Sequence, residues 1–288
     1  MPQTDSGSLY IVATPVGNLD DITARAIQVL SQVNSIAVED TRHSRKLLQH
    51  FGIDTPMFAL HEHNEVQKVD EIIKRISAGE DIALISDAGT PLISDPGYPL
   101  VNKASQAGIK VVPIPGASSI LAALSCAGLP TDRFVFEGFL PGKKGTRSNQ
   151  LSKLAAEERT LIFFEAPHRI HACLEDLVTV FGANRHAVIA RELTKTYETF
   201  LRGTLAELLD MVSADSNQER GEIVLMVAGS DKKDQSLDEG ALHIFSTLLE
   251  ELPLKQASSL AGKITGLGKK AFYQAGLEQK KQQDDKGD

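Results

Sequence analysis

Leu84-Ile85-Ser86-Asp87-Ala88-Gly89-Thr90-Pro91-Leu92-Ile93-Ser94-Asp95-Pro96-Gly97 is the stretch on which the fold depends. A short apolar strand, Ile82 to Ile85, runs into a bend dense in Ser, Asp, Gly and Pro. Gly89 and Gly97 permit positive φ or the close approach of another molecule. Pro91 and Pro96 fix φ and remove N–H donors, so the remaining backbone polar groups need partners outside a regular ladder. A stiff polar loop after a buried strand is where open α/β sheets bind ligands. The same composition also reads as an ordinary strand-to-helix turn.

Upstream of the bend, the pattern of strand, turn and helix repeats. Leu9 to Ala13 is an apolar run of strand length, followed by the turn Thr14-Pro15-Val16-Gly17-Asn18-Leu19-Asp20-Asp21. A helix is expected from Ile22 to Gln32, capped by Asp20 or Asp21. Neither G-x-G-x-x-G nor G-x-x-x-x-G-K-[ST] stands in the right context, which disfavours the usual NAD and ATP phosphate cradles. The strand Ser35 to Val38 ends in Glu39-Asp40-Thr41-Arg42-His43-Ser44-Arg45-Lys46, with Thr41 as the expected cap and Arg42 and Lys46 on one helical face. Pro56 to Leu60 reads as a strand. His61-Glu62-His63 has the spacing of two metal ligands, but no second pair accompanies it, and a polar loop is the better reading. Val66 to Ala78 is an amphipathic helix stopped by Gly79.

Downstream, Pro99 to Ala107 reads as a helix and Ile109 to Ile114 as a strand running into Pro115-Gly116-Ala117-Ser118-Ser119. The apolar helix Ile120 to Ala127 follows; Ser118 or Ser119 would cap it or face a ligand at its positive end. Gly128-Leu129-Pro130 breaks the pattern and marks a domain boundary. Arg133 to Gly138 is a strand. Leu140 to Arg147 reads as a flexible basic loop, either a solvated turn or a phosphate-contacting arm. Strands Thr160 to Phe164, Ala187 to Ala190, Tyr197 to Leu201 and Ile223 to Ala228 alternate with helices Ile170 to Phe181 and Leu205 to Val212. Polar exits recur at Glu39, Ser86, Glu165 and Arg191, which favours one shared cleft. Ser230 to Gly240 reads as a linker, Ala241 to Glu251 as a short helix, and Leu254 to Tyr273 as helix, glycine turn, helix. That is helix-turn-helix spacing with cations heading the second helix, although a plain helical hairpin has the same outline. Gln279 to Asp288 reads as a frayed tail.

The totals narrow the classes. The chain has 288 residues, enough for two compact domains, and 42% apolar content. A formal net charge of −8 argues against non-specific coating of nucleic acid, though not against a local basic patch. Cys126 and Cys173 read as small core residues, which fits a reducing, cytoplasmic compartment. No signal core precedes the first strand, and no apolar run approaches the roughly 20 residues of a membrane span. No metal site is expected.

Five stretches in order carry a family resemblance: Val12 to Leu19, Glu39-Asp40-Thr41-Arg42, Ser86 to Gly97, Pro115 to Ser119, and Ala190-Arg191-Glu192-Leu193-Thr194-Lys195. From Leu9 to Ala228 the chain resembles the ribosomal RNA small subunit methyltransferase I branch of the tetrapyrrole methylase superfamily, whose members also carry a C-terminal helical extension. The resemblance implies an α/β fold of two domains, 1–128 and 129–230, with S-adenosylmethionine in the cleft between them and a helical extension at 241–280. It implies 2′-O-ribose methylation of a decoding-centre cytidine in 16S ribosomal RNA, by a homodimer, with the RNA held within the small ribosomal subunit.

The same resemblance assigns the cofactor to Pro15, Gly17, Asp87, Ala88, Gly89, Thr90, Pro91, Ile93, Ser118, Ser119, Phe164, Glu165, Ala166, Ile223 and Val224. The superfamily's Gly-Asp-Pro loop becomes Gly89-Thr90-Pro91 here, so any carboxylate contact falls to Asp87 or Asp95. A ribose hydroxyl is a poor nucleophile, and a base or a cation should stand beside it. The candidates are Glu39, Asp40, Arg42, Glu165, Arg191, Glu192 and Lys195; Arg42 and Lys195 also suit phosphates. Lys143, Lys144, Arg147, Lys269 and Lys270 are the candidate RNA contacts. The alternatives are a methylase of the same fold acting on a tetrapyrrole or a protein side chain, and a non-enzymatic RNA-binding assembly factor.

Overall fold

The structure, a computed structural model, describes residues 6–61, 64–230, 237, 239–265 and 267–284. The chain forms two compact units: one from the described parts of Met1–Ser152 and Thr160–Ala228, the other from those of Lys153–Arg159 and Gly229–Asp288.

The first unit holds two five-stranded sheets. In the first sheet, β1 (Ser8–Val12), β2 (Ser35–Val38), β3 (Met57–Ala59), β4 (Ile82–Ile85) and β5 (Lys110–Ile114) lie in the order β3-β2-β4-β1-β5, all parallel. Parallel strands are buried on both faces, so β4 alternates between two cores. Ile82 and Leu84 pack with Ile72 and Ile76 of α3 (Glu65–Ser77) and with Leu100 and Ala104 of α4 (Tyr98–Gln106). Ala83 and Ile85 pack on the opposite side with Ala26 and Leu30 of α1 (Ala24–Gln32) and Leu48 of α2 (Thr41–His50).

The second sheet is mixed: β6 (Phe134–Phe139), β7 (Thr160–Glu165), β8 (His186–Arg191), β9 (Thr199–Thr204) and β10 (Ile223–Val227) lie in the order β6-β7-β10-β8-β9. Only β6 and β7 run parallel; β10 is antiparallel to both β7 and β8. The apolar helix α5 (Ser119–Ala127) leaves the first sheet and packs Ile120, Ala123 and Leu124 on Ile162, Val188, Ala190, Val224 and Met226 of the second. Burying about 1.5–3 kcal/mol of apolar side chain per residue on this face ties the two sheets together. The expected boundary at 128/129 falls where Gly128 ends α5 in the left-handed conformation. The remaining helices of this unit are α6 (Lys144–Leu154), α7 (Ile170–Phe181) and α8 (Leu205–Ala214).

Several local expectations are corrected. Leu140 to Arg147 is not a loop throughout: α6 begins at Lys144, and Arg147 points inward, its side chain 4% exposed against Asp176. Asp20 and Asp21 do not cap α1; they form a short 3-10 turn capped by Asn18, and Thr23 accepts from the Ala26 N–H at 3.1 Å to cap α1. Asp40, not Thr41, caps α2. Neither Ser118 nor Ser119 caps α5 through its side chain: Ser118 holds the N-cap position without that bond. Cys173 is buried as expected, but Cys126 is exposed. The last expected strand before α8 starts at Thr199 rather than Tyr197.

The second unit contains α9 (Glu239–Glu251), α10 (Leu254–Thr265) and α11 (Lys269–Asp284). Phe245 and Phe272 meet at 5.3 Å between ring centroids in a core with Ala241, Ala257 and Ala261. The helix α11 continues through Asp284, so the expected frayed tail is helical to that point; 285–288 lie outside the described residues. Glu62 and His63 of the His-x-His stretch, and most of the expected linker (231–236 and 238), also lie outside them. Among the described residues no helix is long and apolar enough to cross a membrane.

Candidate functional site

The site grows from strand ends. Thr14, just beyond β1, is buried and pairs with Gly89, just beyond β4, through N–H to O bonds of 2.8 and 3.1 Å. The Thr14 hydroxyl also donates to the Ser86 carbonyl at 3.2 Å. The bend is tied down at both ends: the Thr90 hydroxyl donates to the Ala117 carbonyl at 3.0 Å, and the Gly97 N–H donates to the buried Glu65 carboxylate at 2.7 Å. Thr90 therefore braces the loop against the start of α5. Among the described residues, every non-glycine with positive φ lies in one of two segments: Leu92 and Ser94 in this bend, Glu192 and Thr194 after β8. Such conformations cost of order 1–3 kcal/mol each and cluster at binding sites.

Two cavities adjoin here and share Val16, Ala88 and Glu222 as lining. The first, about 310 Å³, has the size of a small-molecule site. The bend contributes Ala88, Gly89, Thr90, Ile93, Ser94 and Asp95 to it. Ser118 and Ser119 line it from α5, Phe164, Glu165 and Ala166 from the β7 exit, and Ile223 and Val224 from β10. Most of the sequence-derived cofactor residues thus come together in one place. Pro15, Gly17 and Asp87 line the second cavity instead, and Pro91 lines neither.

The first cavity is mainly apolar, with Phe139 and Phe164 stacked at a tilt, 5.5 Å between centroids. Its acidic groups are Asp95, Glu165 and Glu222. Asp95 has its pKa perturbed upward. Burial, then the nearby Glu39, raises its pKa to about 6; a hydrogen bond with Ser86 opposes this and Asp87 adds to it. Aromatic walls with a carboxylate acceptor suit a ligand that carries a flat base and a ribose.

The second cavity, about 520 Å³, is lined by charged side chains of both signs among apolar ones. His43, Ser44 and Lys46 reach it from α2, Asp87 from the bend, and Lys195 and Glu222 from the second sheet. Lys195 is half-buried, with 28% of its side chain exposed and its Nζ 2.9 Å from Glu192 Oε1 and 3.1 Å from Glu222 Oε2. Burial works against its charge, but the hydrogen bonds to both carboxylates prevail and raise its pKa. Glu192 is equally committed: its Oε1 also accepts the Glu222 N–H at 2.9 Å, and its own N–H donates to the Glu222 carbonyl at 2.9 Å. Gly221 makes room for this, since a Cβ there would stand 2.4 Å from Glu192 Cδ.

Of the other catalytic candidates, Glu165 lines the first cavity and Glu39, Asp40, Arg42 and Arg191 line neither. Asp40 is bound by the Arg42 guanidinium and N–H, which lower its pKa to about 2, while the Arg42 side chain is 90% exposed. Arg191 donates to the Thr199 hydroxyl at 3.2 Å and braces β8 against β9. Glu165 lines the first cavity, but its carboxylate is fully buried, 3.0 Å from Arg169 Nε and 2.8 Å from the Ala166 N–H. Such a group acts as a bracket between the β7 exit and Arg169.

Of the RNA candidates, Lys143 is exposed and Lys144 lies 3.9 Å from Asp176 with most of its side chain in solvent. Arg147 is excluded by burial: its Nε donates to Asp176 Oδ2 at 2.7 Å. Within the helical unit, Lys269 and Lys270 line a groove of about 820 Å³ with Lys255, Gln256, Ser259 and Tyr273.

Sequence reasoning missed Phe139, Leu193 and Glu222. Glu222 stands before a strand, whereas the polar groups legible in the sequence stand at strand exits. Since β10 is antiparallel to its neighbours, its entrance, where Ile223 pairs with Glu165 and Arg191, lies at their exits.

The chain matches the family of Tetrapyrrole (Corrin/Porphyrin) Methylases over residues 8–209 and the RsmI C-terminal HTH domain over residues 235–280. It is 55% identical to the ribosomal RNA small subunit methyltransferase I of Pseudomonas aeruginosa, over 95% of this chain and 98% of that one. It is 53% identical to the protein of the same name from Escherichia coli O157:H7, over 95% and 96%. Among solved structures, uroporphyrin-III C-methyltransferase from Thermus thermophilus complexed with S-adenosyl homocysteine matches at a TM-score of 0.53 and 15% identity, covering 77% of this chain and 97% of that one.

Proposed function

Because the chain belongs to the ribosomal RNA small subunit methyltransferase I family, on the tetrapyrrole methylase fold, we propose that it methylates the 2′-oxygen of a cytidine ribose in 16S ribosomal RNA. It is a methyltransferase, and its methyl donor is S-adenosylmethionine. That donor supplies a methyl group on a sulfonium, from which a neutral thioether departs as the leaving group.

The observation that carries the reading is the adjoining pair of cavities, one mainly apolar and of cofactor size, the other lined by charged side chains of both signs, with a shared wall at Val16, Ala88 and Glu222. We assign the first to the cofactor. The backbone of Ala88 to Thr90 and the hydroxyls of Ser118 and Ser119 bind its polar groups, Asp95 takes the place of the acid replaced by Thr90, and Phe139 and Phe164 cover an aromatic base. The second receives the nucleotide, with Lys46 and Lys195 offering positive charge to it. Alignment of oxygen and methyl across the shared wall accounts for much of the rate. Lys143, Lys144, Lys269 and Lys270 contact phosphates. An acidic body with local basic patches suits a structured target, and we extend the reading to a homodimer acting on the assembled small ribosomal subunit in the cytoplasm. The two sheets serve as separate domains, 1–128 and 129–230, and 241–280 as the RNA-engaging extension.

The test is incubation with methyl-labelled S-adenosylmethionine and small ribosomal subunits lacking the modification. Label recovered in 2′-O-methylcytidine supports the reading. Label in protein or tetrapyrrole, or RNA binding without transfer, overturns it.

A further inference from the structure

Among the described residues, Glu222 is the titratable side chain that lines both cavities, and it stands where a group serving the transferred methyl must stand. Its carboxylate is 68% exposed, open to whatever occupies those spaces, and its Oε2 lies 3.1 Å from Lys195 Nζ. The backbone beneath it is fixed. Its N–H donates to Glu192 Oε1 and its carbonyl accepts the Glu192 N–H, both at 2.9 Å. Glu192 and Thr194 hold positive φ to make that arrangement, and Gly221 leaves the space for it. A strained turn, a close-approach glycine and two charged side chains, Glu192 and Lys195, thus fix the Glu222 carboxylate at the junction of two cavities.

The neighbouring acids are spoken for. Asp87 Oδ1 accepts the Asp40 N–H at 3.2 Å, Glu165 is buried against Arg169, and Asp95 lines the first cavity alone of the two. Resting on the reading above, we propose that Glu222 takes the proton from the ribose hydroxyl that is methylated, with Lys195 beside it stabilising the charge that develops on the oxygen. Glu192 is a positioning residue that holds both. In this step the O–H bond breaks and its proton passes to the Glu222 carboxylate. The oxygen–methyl bond forms as the methyl–sulfur bond breaks, and that electron pair stays on sulfur. Water then takes the proton from Glu222.

The experiment compares Glu222→Gln, Glu222→Asp and wild type on small ribosomal subunits. Proton transfer by a positioned side chain is worth about 10²–10⁴-fold, so Glu222→Gln should lose at least about 100-fold in kcat. Affinity for S-adenosylhomocysteine by calorimetry and for a 16S fragment by anisotropy should stay at the wild-type values. The acid limb of the kcat–pH profile should vanish in Glu222→Gln and persist in Glu222→Asp with partial activity. A Glu222→Gln enzyme with wild-type kcat, or one whose loss follows weakened binding of either ligand, overturns the proposal. Wild-type protein that methylates no ribose overturns the functional reading itself, and this assignment with it.

Discussion

Gly17 lies against Lys195 so closely that a Cβ on the glycine would stand 2.4 Å from Lys195 Cγ, and 2.7 Å from the Leu193 carbonyl oxygen. A lysine side chain rotates away at small cost; a backbone carbonyl does not. Gly17→Ala must therefore displace the turn from Glu192 to Lys195 and pull the ammonium away from Glu222. Overpacking of this kind costs about 1–3 kcal/mol. The expected outcome is a modest fall in Tm with a much larger fall in kcat. Equal, small effects on both would show that Lys195 tolerates relocation.

Asp95 gives the molecule a pH dependence with a definite sign. Burial and the neighbouring Glu39 raise its pKa from 3.8 to about 6. The folded protein thus binds more protons than the unfolded chain between these values, and stability falls as pH rises through that window. Asp95→Asn removes the charge, so its Tm should exceed wild type at pH 7.5, with the gain shrinking as pH drops below about 6. Melting curves at several pH values check this, and a gain that does not vary with pH would rule it out. With Asp95 assigned to the cofactor cavity, the same variant should bind S-adenosylhomocysteine more weakly at pH 7.5.

The parallel sheet was legible because its strands are short apolar runs with a polar bend at each end. The mixed sheet was harder. Its strand β6 is an edge with Gly138 at a register shift, and that irregularity brings Phe139 opposite Phe164 at the cavity, which no two-residue period foretells. Arg147 was misread for a different reason. In sequence it closes a cluster of cations, whereas its partner Asp176 lies 29 residues away on α7, and burial of a long-range pair leaves no local trace. Glu222 needed the strand direction of β10, which sequence periodicity does not carry.

That buried pair makes its own prediction. Arg147 and Asp176 expose 4% and 3% of their side chains, and the Arg147 guanidinium also donates to the Ala172 carbonyl at 3.2 Å. Truncating one partner strands the other charge, at about 3–5 kcal/mol. Arg147→Ala should therefore unfold at markedly lower denaturant, whereas Lys143→Ala, at an exposed position, should stay within about 0.5 kcal/mol of wild type. Urea titrations separate the two. A stable Arg147→Ala protein with weakened RNA binding would return Arg147 to the RNA contacts.

Lys269 and Lys270 sit in the first turn of α11, where positive charge opposes the helix dipole and no acid balances it. A helix selected for stability alone would carry acids there. Among the described residues, the groove these lysines line with Lys255 and Tyr273 has no carboxylate in its wall, so their charge is left for a ligand. Replacing both with alanine should leave Tm unchanged or raise stability by about 0.3–1 kcal/mol. Binding to a single-stranded 16S fragment should weaken, and the dependence of log affinity on log salt should become shallower by about 0.7 for each lysine that contacts a phosphate. S-adenosylhomocysteine affinity should not move. An unchanged salt slope would mean that these lysines, despite their placement, touch no phosphate.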